Sequence, residues 1–83
     1  MKIQLRYFAS LREALGASES LDVPAASTVG AVRDLLIARG GLHAELLARG
    51  RAVRAALNQQ MCGEDAALSD GAELAFFPPV TGG

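Results

Sequence analysis

Hydrophobic and polar residues alternate along the first eight positions of the chain. The side chains divide into two sets, Ile3, Leu5 and Tyr7 against Lys2, Gln4, Arg6 and Phe8. A period of two is typical of a β-strand that buries one face, so the sequence predicts a first strand over residues 2–8. The same period predicts a second strand over residues 19–23, with Leu21 and Val23 turned inward and Pro24 ending it.

A helical period replaces this alternation in the middle of the chain. Thr28 is placed to cap the amino-terminal end of a helix, because its hydroxyl accepts a hydrogen bond from a first-turn amide. The apolar residues that follow at helical spacing predict a buried stripe, made of Val29, Val32, Leu35 and Leu36. The glycines Gly40 and Gly41 predict the end of this helix. Shorter helical pieces are predicted over residues 10–15 and 42–49, the second with Leu42 and Leu46 on one side and a Glu45–Arg49 ion pair.

Alternation returns after Gly50 and predicts three more strands. The first covers residues 53–58, and Asn58-Gln59 is a turn into a short strand around residues 60–62. Asp70-Gly71 is a strong turn signal before the last strand, over residues 72–77. This last strand turns Leu74 and Phe76 inward and ends at Pro78 and Pro79, because proline cannot donate a hydrogen bond to a sheet.

The order of these elements predicts an α+β domain of β-grasp type. A mixed sheet of four to five strands is covered on one face by one main helix. The β-grasp domain spans residues 1–79, and residues 80–83 form a flexible tail. The first and last strands are parallel neighbours at the sheet centre, so Phe8 and Phe77 are expected to lie together on the open face.

An apolar patch on an exposed sheet face usually marks a partner surface. Met61 extends this patch if its strand parity holds, and Pro78 and Pro79 continue it towards the tail. Two alternatives remain open: Phe8 and Phe77 simply cover the sheet, or a bulge shifts the register.

Composition narrows the function classes. The chain of 83 residues has eight lysines and arginines against nine acidic residues, and the basic residues are scattered. This pattern argues against nucleic-acid or membrane-surface binding, which needs clustered basic residues. The first residues lack the apolar block of a signal peptide, so a cytoplasmic location is expected. Cys62 and His43 are too few to form a zinc site, and no metal is expected.

The sequence ends in Gly82-Gly83, preceded by Val80 and Thr81. Glycine has no Cβ, so a diglycine backbone enters a channel too narrow for other residues. The group delivered to the end of such a channel would be the carboxylate of Gly83. The alternative is a frayed terminus without a role.

Three stretches resemble the small subunit of molybdopterin synthase, the MoaD-like group of ubiquitin-like sulfur carriers. They are residues 6–13 (RYFASLRE), 55–59 (AALNQ) and 68–83 (LSDGAELAFFPPVTGG). The diglycine is common to all ubiquitin-like carriers, whereas the run FFPPVTGG is much more specific. The resemblance extends over essentially the whole chain in the same order.

The resemblance implies a sulfur-transfer cycle on a ubiquitin-like fold. An adenylating enzyme (MoeB-like) would use ATP to form a transient acyl-adenylate on Gly83, and a sulfur donor such as a cysteine desulfurase or rhodanese would convert it to a thiocarboxylate. The tail, with Gly82, Thr81 and Val80, would then enter the large subunit (MoaE-like) of a heterotetramer. Sulfur would pass there to cyclic pyranopterin monophosphate to build the molybdopterin dithiolene. The chain itself would be a non-catalytic donor subunit without a permanently bound cofactor.

Two other functions stay open. Relatives with the same diglycine carry sulfur for the thiamine thiazole, a tungsten cofactor or cysteine. A ubiquitin-like modifier would instead join Gly83 to lysines of other proteins.

Overall fold

The computed structural model describes residues 1–78 and contains one mixed sheet. Its five strands lie in the order β2-β1-β5-β3-β4. Their bounds are β1 Lys2–Tyr7, β2 Ser18–Asp22, β3 Arg54–Leu57, β4 Gln60–Cys62 and β5 Glu73–Phe77. Only β1 and β5 are parallel, and they are adjacent at the centre. The predicted α+β, ubiquitin-like β-grasp architecture is therefore confirmed.

Three helices accompany the sheet: α1 Ala9–Leu15, α2 Val29–Ile37 and α3 Gly41–Leu46. The main helix is α2, and the hydroxyl of Thr28 accepts a hydrogen bond from the Ala31 amide at 3.2 Å, as the sequence predicted. Gly40 caps the amino-terminal end of α3 and Gly41 is its first residue, both with positive φ. Helix α2 ends at Ile37, with Ala38 as its carboxyl-terminal cap, so the glycines predicted to end it lie beyond its end and begin α3 instead.

Strand parity divides the sheet into a covered and an open face. The covered face packs its side chains into the core with α1 and α2, and its fully buried members include Ile3, Leu5, Tyr7, Leu74 and Phe76. The strands therefore bury the residues that alternation predicted. The turn at Asn58-Gln59 is also confirmed: both residues have positive φ, and the Asn58 side chain accepts a hydrogen bond from the Glu73 amide.

The predicted buried stripe of the main helix was wrong at one position. Leu35 is 45% exposed, while Arg33, two positions earlier, is buried. Helical spacing alone allowed Leu35 to join the stripe of Val32 and Leu36. The buried stripe of α2 is therefore narrower than predicted. The neighbouring flank of the helix packs against the segment after α3, and Arg33 occupies that contact.

Arg33 can be buried because each nitrogen of its guanidinium donates at least one hydrogen bond. Its side chain is 4% exposed and donates to the carbonyls of Leu47 at 2.8 Å, Ala48 at 2.6 Å and Arg51 at 3.0 Å. A fourth hydrogen bond reaches the Glu64 carboxylate at 2.7 Å. This one guanidinium therefore links α2 to the segment that leads into β3 and to the loop after β4.

The second helical piece also differs from its prediction. Helix α3 ends at Leu46 rather than at residue 49, and Leu47 is the fully buried leucine, whereas Leu42 is 51% exposed. Arg49 lies beyond the helix, so the expected pair with Glu45 does not form. Its guanidinium instead contacts Asp34 at 2.8 Å and also pairs with Glu64.

No helix within residues 1–78 is long and apolar enough to cross a membrane.

Candidate docking face beside the last strand

The open face of the sheet is built by the alternate residues of the strands. Across the central pairs, Ala75 lies opposite Ala56 and Phe77 lies opposite Arg54. Ala56 in turn lies opposite Met61 of β4. Ala56 and Ala75 are buried but do not belong to the core cluster. They are covered by the larger side chains around them, so this part of the face has its own apolar packing.

Phe8 and Phe77 form an aromatic stack on this face. Their ring centroids are 4.8 Å apart and the planes differ by 9°. The contact follows from topology: β1 and β5 run parallel, and the Phe8 amide donates to the carbonyl of Phe76 at 3.2 Å. The predicted proximity of the two rings on the open face is confirmed. Both side chains are half-buried, so the stack keeps an accessible surface.

Met61 extends the stack into a wider patch. Met61 is 55% exposed, and it is informative here because it continues the apolar surface of the two phenylalanines. With Phe8 and Phe77 it borders an open depression of about 360 Å³ over the two alanines, Ala56 and Ala75. We call these five residues the apolar patch. The structure therefore supports the parity that the sequence left open for Met61.

Charged residues border the patch. The Arg6 guanidinium carbon lies 5.5 Å from the centroid of the Phe8 ring, and an Arg6 nitrogen lies 3.2 Å from the Glu73 carboxylate. A cation over an aromatic face is attracted by the ring quadrupole. Arg6 therefore has two partners within its own chain. Strand parity predicted the side of β1 on which Arg6 lies, but no pattern in the sequence marked Arg6 as part of the site.

The remaining predicted site residues follow β5 in the sequence. Pro78 follows the strand directly and is half-buried. Pro79, Val80, Thr81, Gly82 and Gly83 lie outside the described residues. The apolar patch is thus adjacent to the point where the chain continues towards the predicted tail. The roles of these residues in partner binding and sulfur transfer, and the boundary at residue 79, stay predictions.

Neither Cys62 nor His43 lines the depression of the apolar patch. Burial raises the pKa of the Cys62 thiol, so it is less ionised than a free cysteine at neutral pH. His43 is half-buried on α3, where Nε2 lies 3.3 Å from an Arg39 nitrogen. Within the described part of the chain, no three histidine, cysteine or acidic side chains could jointly hold a metal ion.

A polar cluster on the covered side holds the edge strand. Arg39 binds both carboxylate oxygens of Glu19, at 2.7 and 3.0 Å, and Glu19 accepts from the Tyr7 hydroxyl at 3.2 Å. The Arg39 hydrogen bonds lower the pKa of Glu19. Burial and then the Glu19 charge raise the pKa of Tyr7. The cluster joins β1, β2 and the end of α2, and its groups stay in fixed charge states near neutral pH.

The fold and the patch define a β-grasp protein of the ubiquitin-like class. The chain belongs to the ThiS family, whose sequence profile matches residues 5–83. It is 40% identical to the molybdopterin synthase sulfur carrier subunit of Escherichia coli K12, over 98% of this chain and 99% of that protein. The corresponding subunit of Haemophilus influenzae is 36% identical over the same shares of both chains. The resemblance found in the sequence is therefore confirmed.

Comparison with solved structures gives the same fold. The HVO 2177 protein of Haloferax volcanii superposes with a TM-score of 0.81 at 36% identity, over 100% of this chain and 87% of that one. SAMP1, a small archaeal modifier protein of the same organism, gives a TM-score of 0.78 at 29% identity over the whole of both chains. A structure of the BexX/CysO complex of Amycolatopsis orientalis gives a TM-score of 0.64 at 25% identity, over 98% of this chain and 99% of that one.

Proposed function

We propose that this protein is the sulfur carrier subunit of molybdopterin synthase and delivers sulfur as a thiocarboxylate on Gly83. The observation that carries this proposal is the 40% identity, over nearly the whole of both chains, to a subunit of that name. The apolar patch supports it, because the patch borders the end of β5 from which the chain continues to the diglycine. A partner bound on the patch would be positioned to receive the tail.

The chemistry requires activation of a poor electrophile. The Gly83 carboxylate attacks the α-phosphate of ATP, which releases pyrophosphate and leaves an acyl-adenylate. The terminal sulfur of a cysteine persulfide on a desulfurase or rhodanese then attacks the carbonyl carbon, AMP leaves, and an acyl disulfide joins the two proteins. A second thiol attacks the donor's cysteine sulfur and forms a new disulfide with it, which breaks the S–S bond to the tail. The product is a thiocarboxylate in which one oxygen of Gly83 has been replaced by sulfur. Gly82 and Gly83 suit this chemistry because a glycine backbone fits a narrow channel.

The proposal assigns three protein partners and no catalytic groups of the chain's own. The adenylating enzyme activates the tail, the sulfur donor loads it, and the large subunit takes the sulfur for cyclic pyranopterin monophosphate. Phe8, Met61 and Phe77 provide the contact surface, with Pro78 and Pro79 directing the tail. ATP is consumed by the adenylating enzyme, and no cofactor stays on this chain. A cytoplasmic location, where these partners work, is part of the proposal.

The intact mass of the protein after incubation with ATP, a MoeB-like enzyme and a sulfur source tests this proposal. We expect a gain that matches replacement of one oxygen by sulfur. Deletion of Gly83 should abolish the gain, and Gly82→Ala should reduce it, while both variants keep the thermal unfolding profile of the parent. A chain without Gly83 that still gained sulfur would contradict the proposal.

A second candidate function is that of a protein modifier, and the structural likeness to SAMP1 favours it. A modifier would be found with Gly83 in an isopeptide bond to lysines of other proteins. A carrier would be found as the free thiocarboxylate. Sulfur delivery to another acceptor stays a variant of the first proposal, and the likeness to a chain of the BexX/CysO complex is compatible with it. Assaying the loaded protein with the large subunit and the pterin precursor separates the two sulfur pathways.

A further inference from the structure

Arg54 lies at the border of the apolar patch. Its Cα is paired with that of Phe77 across the antiparallel strands, and side chains opposite each other in such a pair share a face. Arg54 is exposed and also lines a second depression, of about 460 Å³, together with Met61. It therefore has patch residues on two sides. A partner that covers Phe77 and Met61 would therefore also approach the Arg54 side chain.

The charge of Arg54 is not compensated within the described part of the chain. Arg6, the other cation at the patch, is paired with Glu73 and lies over Phe8. Among residues 1–78, the ion pairs involve Arg6, Arg33, Arg39 and Arg49, and none involves Arg54. Glu64 lines the same depression as Arg54, but its two carboxylate oxygens are occupied by Arg33 and Arg49. Arg54 thus has no carboxylate within ion-pair distance among these residues.

Covering such a cation without an acceptor is costly. A charge that loses its water and gains no partner destabilises a complex, whereas a guanidinium that meets a carboxylate forms up to two charge-assisted hydrogen bonds. We propose that the surface that docks on the apolar patch carries a carboxylate facing Arg54, which makes Arg54 a specificity-determining contact. This inference rests on the proposed function, because the docking surface it describes is that of the large subunit.

Substitution of Arg54 by methionine provides the sharpest test. Methionine keeps an unbranched apolar stem like that of arginine but lacks the guanidinium and its charge. If the large subunit has a carboxylate at this place, Arg54→Met leaves that carboxylate covered and unpaired, and binding weakens. Without a carboxylate there, Arg54→Met removes a desolvation cost, and binding stays equal or becomes tighter. The sign of the change therefore reports the partner's charge.

Lys2→Met is the matched control. Lys2 is an exposed cation on the same open face, and six residues of extended strand place it about 20 Å from Phe8. Isothermal titration calorimetry would compare the wild type, Arg54→Met, Arg54→Glu and Lys2→Met for binding to the molybdopterin synthase large subunit of the same genome. Thermal unfolding of each variant alone would establish that the fold is kept.

We expect Arg54→Met to weaken binding about tenfold and Arg54→Glu about a hundredfold, since a like charge adds repulsion to the lost pair. Lys2→Met should bind as the wild type does. Equal or tighter binding by Arg54→Met would overturn the inference, as would an equal loss in Lys2→Met. If the wild type gains sulfur and binds while Arg54→Met binds equally well, only this inference fails. If the wild type neither gains sulfur nor binds, the proposed function fails and this inference with it.

Discussion

The two faces of the central strand β5 differ although they share one backbone. Phe76 points to the covered face and is fully buried in the core, whereas its neighbour Phe77 points to the open face and stacks on Phe8. The core ring is surrounded by residues that α1 and α2 hold in place. The other ring stacks on one aromatic neighbour and borders the open depression over two alanines. Identical side chains in adjacent positions therefore contribute chiefly to stability in one case and to an accessible surface in the other.

The comparison shows that burial on each face has a different origin. On the covered face, helices exclude water from the strands in the free protein. On the open face, small residues are covered only by their larger neighbours, and the outer surface of Phe8, Phe77 and Met61 is left for a partner. Substitutions on the covered face should thus lower the free energy of unfolding, and those on the open face should chiefly change binding.

The pair Phe76→Ala and Phe77→Ala should show the largest contrast. Removing a buried phenylalanine costs about 3–5 kcal/mol, because it leaves a cavity as well as losing transfer free energy. Removing Phe77 loses one aromatic contact, worth about 0.5–1.5 kcal/mol. Denaturant unfolding of both variants measures the difference directly. If both variants lost the same free energy of unfolding, the open face would stabilise the fold as much as the covered face does.

Arg33→Met extends the comparison to a polar residue on the covered side. Methionine fits the space but leaves three carbonyls and the Glu64 carboxylate without their donor, so we expect a loss of about 2–4 kcal/mol. Arg54→Met, on the open side, should change the free energy of unfolding by less than about 0.5 kcal/mol. Urea unfolding of the two variants, measured side by side, compares their free energies of unfolding. An unchanged midpoint for Arg33→Met would show that hydrophobic contacts alone hold the segment after α3.

Thr28→Ala tests the helix that covers the sheet. The variant loses the cap hydrogen bond to the Ala31 amide, and we expect a loss of about 1 kcal/mol in the free energy of unfolding. Binding to the large subunit should not change, since Thr28 precedes a helix on the other side of the sheet. Weaker binding with an intact fold would contradict the separation of the two faces.

The smallest effect should be the acid sensitivity of the edge strand. The pKa of Glu19 is lower in the folded protein than in the unfolded chain, because Arg39 binds the carboxylate. Its contribution is therefore present above the ordinary glutamate pKa of about 4.3 and is lost as the pH falls through the lower folded value. Glu19→Gln should flatten part of the decline in stability below about pH 4.

The control for this test is on the open face. Ser20→Ala removes the hydrogen bond from Ser20 to Gln4, at 3.1 Å, without removing a titrating group. The pH profile of its free energy of unfolding should keep the wild-type shape. If Glu19→Gln left the acid decline unchanged, the Glu19–Arg39 pair would be unimportant for stability.

Most of the fold and part of the site could be predicted from the sequence. Strand parity is a local property, and it placed Phe8 and Phe77 on one face and Phe76 on the other. The order of elements made β1 and β5 parallel neighbours, which was enough to expect the two rings in contact. The turn at Asn58-Gln59 and the Thr28 cap also depend on only a few adjacent residues.

The features that only the tertiary structure determined are those that depend on contacts between distant segments of the chain. A helical period could not show which flank of α2 meets the segment after α3, so Arg33 is buried and Leu35 exposed, against expectation. Arg49 pairs with Asp34 and Glu64 because the chain leaves α3 early and brings its guanidinium back to α2. The register of β3 on β5 set Arg54 opposite Phe77, and the register of β4 on β3 set Met61 opposite Ala56. Local patterns assign a residue to a face, but only the packed sheet and helices determine its neighbours there, because those neighbours come from parts of the chain that local periodicity does not connect.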